Sequence, residues 1–127
     1  MAKSIKPQFL KFFIPIVDAL KSLGGSGTSS EVIDLAIDKL NISEEEQQET
    51  IKNGESKVRN QAQWARLYLA KGGYISSSQR GVWSLTKKAF EKPLTEDIAM
   101  EIIREQRKLY RLSNKTQKKN LKTERRY

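Results

Sequence analysis

The chain of 127 residues contains no cysteine and no histidine. Those two absences exclude thiol nucleophiles, disulfides, Cys/His zinc sites and imidazole acid–base catalysis. Apolar residues make up only 37%, which is low for a compact domain, so part of the chain is expected to stay solvated. The remaining carboxylates, lysines and hydroxyls form no recognisable catalytic constellation, and neither a cofactor nor a metal is expected. Long apolar runs are missing too. The early stretch FLKFFIPIVDAL is interrupted by Lys11, Pro15 and Asp18, so it is neither a signal-peptide core nor a membrane span. The expected protein is soluble and cytoplasmic.

Positive charge is in excess, with a formal net charge of +9. Its distribution has a direction. Residues 28–56 carry two lysines against eight acids, whereas residues 57–92 carry eight Lys/Arg against one Glu. Residues 93–127 add ten Lys/Arg against five acids. A polyanion is therefore expected to meet the second half of the chain.

The pattern predicts a mainly α protein with a small β-hairpin. Pro15 can open a first helix, in which Ile16, Val17, Leu20 and Leu23 keep helical spacing until Gly24-Gly25. The segment GGSG reads as a turn; it lacks the Lys-Ser/Thr of a phosphate-binding loop. Thr28 and Glu31 form a capping box for a second helix that should bury Val32, Leu35, Ala36 and Leu40. Residues 43–51 have almost no apolar face and predict a short exposed helix or a loop. Their consecutive acids Glu44, Glu45 and Glu46 point to different sides and read as solvated. A third helix covers about 56–71, or starts later with Asn60 as its cap and Gln63 as the reciprocal partner.

On a wheel of about 100° per residue, Trp64, Tyr68, Ala65, Val58, Leu69 and Ala62 share a broad apolar arc. Arg59, Asn60, Gln63, Arg66 and Lys71 lie opposite, with Leu67 among them. Both Trp64 and Trp83 are expected in the core, the usual place for an aromatic on an apolar face. Residues 74–77 and 82–86 read as strands joined at Ser78-Gln79-Arg80-Gly81. Thr95 can cap a last helix to about Leu112, and residues 113–127 read as a disordered basic tail.

Three helices followed by a hairpin is the order of a winged helix-turn-helix domain, here over 9–92, followed by a helix over 93–112. In helix-turn-helix proteins the second helix of the pair faces the major groove. The candidate DNA-binding residues are accordingly Lys57, Arg59, Asn60, Gln63 and Arg66 on the third helix, with Gln79 and Arg80 at the hairpin tip. Arginine and glutamine can each make bidentate bonds to base edges, and arginine also pairs with phosphate.

The stretch NQAQWARLYLAKGGYISSSQRGVWSLT resembles the amino-terminal domain of Mrr-type restriction endonucleases. Asn60, Trp64-Ala65, Leu69, Gly73, Arg80-Gly81-Val82 and Leu85-Thr86 carry the resemblance in order and spacing. The start FIPIVDALKSLGG and the Asn53-Gly54 pair are similar too, so the likeness covers about Phe9 to Phe90. It implies a winged-helix DNA-binding module that delivers a nuclease, acting on modified DNA in the founding examples. The family's nuclease domain, with an Asp and a Glu/Gln-x-Lys metal motif, would follow. After Phe90 the pattern offers only a helix and basic residues, so the resemblance supports binding and not cleavage in this chain. The expected partners are double-stranded DNA and a nuclease domain or nuclease partner, which gives a nucleoid-associated protein. The alternative is a protein-interaction or homodimerisation module of the same fold.

Overall fold

The computed structural model describes residues 7–124, with side chains as far as Ser113 apart from that of Ser78. The dense apolar run after Pro7 forms a 3-10 turn over Gln8–Phe12 that leads directly into helix α1, Phe13–Ser22. Pro15 sits third in α1, where its missing N–H costs no intrahelical bond. Phe12, Phe13, Ile16, Val17, Ala19 and Leu20 are all buried. Gly24 and Gly25 end the helix with φ of 85° and 107°, a backbone that L side chains adopt only under strain.

The following residues, expected to be only a turn, continue into a strand. β1, Ser26–Thr28, pairs antiparallel with the second hairpin strand, Gly27 opposite Trp83. A three-residue strand carries almost no periodic signal of its own; the partner strand supplies its hydrogen bonds.

Helix α2, Ser29–Lys39, opens with the complete Thr28/Glu31 capping box. It buries Val32, Ile33, Ala36 and Ile37, while Leu35 and Leu40 are only half-buried. The buried face is rotated from the expected one because α2 packs against more than one partner, α1 on one side and the sheet on another. Helix α3, Glu44–Gln48, is capped by Ser43 and buries nothing. Helix α4, Lys57–Lys71, starts at the earlier of the two expected positions. Ser56 Oγ accepts the Arg59 N–H at 3.2 Å and is its cap.

Strands β2, Ile75–Gln79, and β3, Val82–Leu85, complete a three-stranded sheet of order β1-β3-β2. The hairpin connection is the dipeptide Arg80-Gly81, with Gly81 at φ 78°. The register slips by one residue between Ser76 and Gln79, a bulge that bends the hairpin. The tip is not free-floating. Gly81 O accepts the Ser29 N–H at 2.9 Å, and Gly25 O accepts the Leu85 N–H at 2.8 Å. Helix α1, strand β1, helices α2 to α4 and the hairpin together form an α+β winged helix-turn-helix.

A short helix α5, Lys87–Glu91, leads to α6, Glu96–Glu124. Thr95 Oγ1 accepts the Ile98 N–H at 3.2 Å, as its position at the helix start predicts. Ala99, Met100 and Ile103 of α6 enter the same core as the preceding elements. The helix then runs past Leu112, where the pattern predicts its end. No Gly or Pro follows Pro93, and Lys, Arg, Gln, Glu and Leu all sustain helix backbone. The basic segment expected to be disordered is therefore helical to Glu124; residues 125–127 lie outside the described part.

Candidate nucleic-acid interface

Helix α4 is held from below by Val58, Gln61, Ala62, Ala65 and Leu69, all buried. Tyr68 extends this contact sideways. Its ring stacks on Phe9 with centroids 5.1 Å apart and planes 7° from parallel. The opposite face, centred on Gln63, is left uncovered. Gln63 is exposed, Asn60 and Leu67 are half-exposed, and these three line a shallow depression with Trp64 and Arg66.

Trp64 departs from its expected place. It is 48% exposed, whereas Trp83 on β3 is only 3% exposed. The wheel explains the difference. Trp64 lies about 40° from Asn60 and about 120° from the middle of the buried arc. It flanks the polar face rather than facing the core. A narrower apolar arc, drawn only through Val58, Ala62, Ala65 and Leu69, would have left it outside. Sequence reasoning missed Trp64 as a member of this surface, whereas Leu67 lies where its helical spacing puts it, among the polar residues.

The seven candidate residues divide by what already holds them. Lys57 Nζ lies 3.2 Å from Glu49 Oε2, and Arg59 Nη1 lies 2.8 Å from Asp34 Oδ1. Arg66 leans onto the buried indole of Trp83, its guanidinium carbon 5.8 Å from the ring centroid. Its Nε is buried and has no hydrogen-bond partner among the described residues. Arg66 thus braces the helix against the hairpin, in a cation–π contact, and is not a fully projecting cation. Asn60 and Gln63 have no side-chain partner among the described residues. Gln79 and Arg80 are exposed at the hairpin tip. Arg80 has no ion-pair partner among the described residues, and its position next to Gly81 is fixed by the Ser29 tether. The structure therefore brings together Asn60, Gln63 and Arg66 on one surface of α4. It places Gln79 and Arg80 on the hairpin, and turns Lys57 and Arg59 towards acids.

The model of the Mrr N-terminal domain matches residues 9–92. The chain belongs to that family. The Mrr N-terminal match ends just before α6, although α6 contributes to the core. The chain is also 28% identical over 96 residues to the type IV methyl-directed restriction enzyme EcoKMrr of Escherichia coli strain K12. That alignment takes in 71% of this chain and 32% of the relative, so the chain spans about a third of the relative's length. No solved structure matches the chain. Among the described residues of this Mrr N-terminal domain, no helix is long and apolar enough to cross a membrane. No group of three or more His, Cys, Asp or Glu among them could hold a metal ion.

Proposed function

We propose that this chain is the double-stranded DNA-binding module of a restriction-type system, with any cleavage carried by another domain or partner. The observation that carries this reading is the uncovered face of α4 beside a tethered hairpin whose tip cation, Arg80, is unpartnered among the described residues. Helix α4 is the reading helix and the β2–β3 hairpin the wing. On α4 the free groups are mainly amide and apolar. Asn60 and Gln63 suit the paired donor and acceptor of an adenine edge, and Trp64 and Leu67 suit a base methyl group in the major groove. Family membership supports a role on DNA, and the methyl-directed relative favours modified duplexes as targets. The net positive charge from residue 57 onward supplies the attraction to phosphate.

The test is a titration of the parent chain and Gln63→Ala against paired duplexes that differ only in base methylation, and against scrambled DNA. Gln63→Ala should lose about 1–3 kcal/mol on the preferred duplex and less on scrambled DNA. Equal losses on all duplexes would mean that α4 does not read sequence. Failure to retard any duplex would remove the DNA-binding reading. A second reading is favoured by Leu109, Tyr110 and Leu112, all exposed on α6. They would serve a protein contact or a homodimer along that helix, and sedimentation over a range of concentrations tests for it.

A further inference from the structure

Two of the cations at the start of α4 face acids rather than solvent alone. Helix-turn-helix proteins use the N-terminal part of the reading helix at the groove, which here is the part that carries Lys57 and Arg59. Arg59 is held by Asp34 of α2 at 2.8 Å, a contact between residues 25 positions apart. Lys57 is held by Glu49 at 3.2 Å, from the segment just after α3. The second clamp is part of a closed loop. Glu49 O also accepts the Lys57 N–H at 2.9 Å, and Thr50 bridges to Ser56. Each carboxylate therefore holds a cation that would otherwise be open to a phosphate oxygen.

Resting on the DNA-binding reading above, we infer that Asp34 and Glu49 act as intramolecular phosphate surrogates. They hold Arg59 and Lys57 off the DNA backbone and keep affinity for non-target duplex low. The chemistry is direct competition. Both pairs are solvent-accessible, with side chains 39–66% exposed, and exposed pairs are weak. A backbone phosphate can replace the carboxylate, but the exchange gives up an existing contact for each one made. Non-specific binding depends almost wholly on such phosphate contacts, so it bears the cost in full. Base-edge contacts from Gln63 and Asn60 involve no such exchange. The acidic segment 28–56 is thereby given a role at the interface itself.

The experiment measures binding of the full chain to a short random-sequence duplex between about 50 and 200 mM salt. The variants are Asp34→Asn, Glu49→Gln, their double variant, and Asp38→Asn as the control. Asp38 lies one turn further along α2, is exposed, and has no ion-pair partner among the described residues. Asp34→Asn and Glu49→Gln should each bind about three- to tenfold tighter, with a salt slope steeper by about one for the cation released. Asp38→Asn should leave the slope unchanged. Circular dichroism melts confirm that each variant is folded. The inference is overturned if the parent binds and the two variants bind equally or more weakly, since the acids would then position the cations. It is overturned also if Asp38→Asn gains as much, because net charge alone would account for the change. If the parent does not bind but the double variant does, the inference stands; if neither binds, the DNA-binding reading falls with it.

Discussion

Replacing each tryptophan in turn separates a surface ring from a core ring within one small domain. A packed aromatic side chain buries about 150–250 Å². Trp64 is 48% exposed, so only about 100 Å² is at stake, worth roughly 2.5 kcal/mol at ~25 cal/mol/Å². That is an upper bound, because alanine keeps the Cβ contact and the unfolded chain is not fully extended. No closed cavity is left behind, since solvent reaches the site. Trp64→Ala should therefore cost about 1–2 kcal/mol and lower the melting temperature by roughly 5–10 °C. Trp83 is 3% exposed and sits under the Arg66 guanidinium. Trp83→Ala should cost about 3–5 kcal/mol, the range for truncating a buried large aromatic, with at least twice the fall in melting temperature. Binding should show the complementary pattern. Trp64→Ala, still folded at 25 °C, should lose on the order of 1 kcal/mol or more of duplex affinity, as expected for a large aromatic ring that flanks the contact face. Thermal melts by circular dichroism and titrations with labelled duplex measure both effects. Equal melting losses for the two variants, with Trp64→Ala binding as the parent does, would refute the assignment of Trp64 to the interface.

Arg80→Ala should weaken binding to every duplex alike and reduce the salt slope by about one, the signature of one lost phosphate contact; an unchanged slope would remove the wing from the interface. Tyr74 is fully buried, and its hydroxyl has no partner among the described residues. Burial pushes its phenol above the ordinary value of 10.0. The folded state thus holds this proton more tightly than the unfolded state, so the stability it protects is complete below pH 10 and is lost as the pH rises further. Tyr74→Phe should flatten that alkaline loss and gain about 1 kcal/mol at neutral pH by removing an unpaired buried hydroxyl. A lower melting temperature for this variant at pH 7 would show that the hydroxyl is satisfied in the folded protein.

Local signals carried much of the fold. The Thr28/Glu31 box, the Ser43 and Thr95 caps and the glycines at 24–25 and 72–73 act over a few residues, so their outcome follows from their neighbours. The order of helices and hairpin followed from hydrophobic period in the same way. Where an outcome depended on distant partners, the local pattern was insufficient. β1 exists because β3 offers it a hydrogen-bonding edge more than fifty positions away. The buried face of α2 shifted towards Ile33 and Ile37 because α2 has more than one packing partner. The length of α6 shows the converse. Helix propensity without an apolar face extends the backbone to Glu124, whereas amphipathic pattern alone suggested a stop near Leu112.

The interface followed the same division. The residue types and the helical spacing of Asn60, Gln63 and Arg66 determined that one face of α4 would be polar, and the Arg-Gly pair determined that a cation would stand at the hairpin tip. Charge counting along the chain could not tell which cations are free. Asp34 reaches Arg59 from 25 positions away and Trp83 of β3 meets Arg66 of α4, contacts that exist only once the elements have packed. Trp64 is the clearest case. Its sequence position allowed either side of the helix boundary, and the packing of α4 on α1 and the 3-10 turn left its ring in solvent. An ionic or aromatic side chain is neutralised or covered by whatever the tertiary fold brings within a few ångströms, a distance that separation along the chain does not encode.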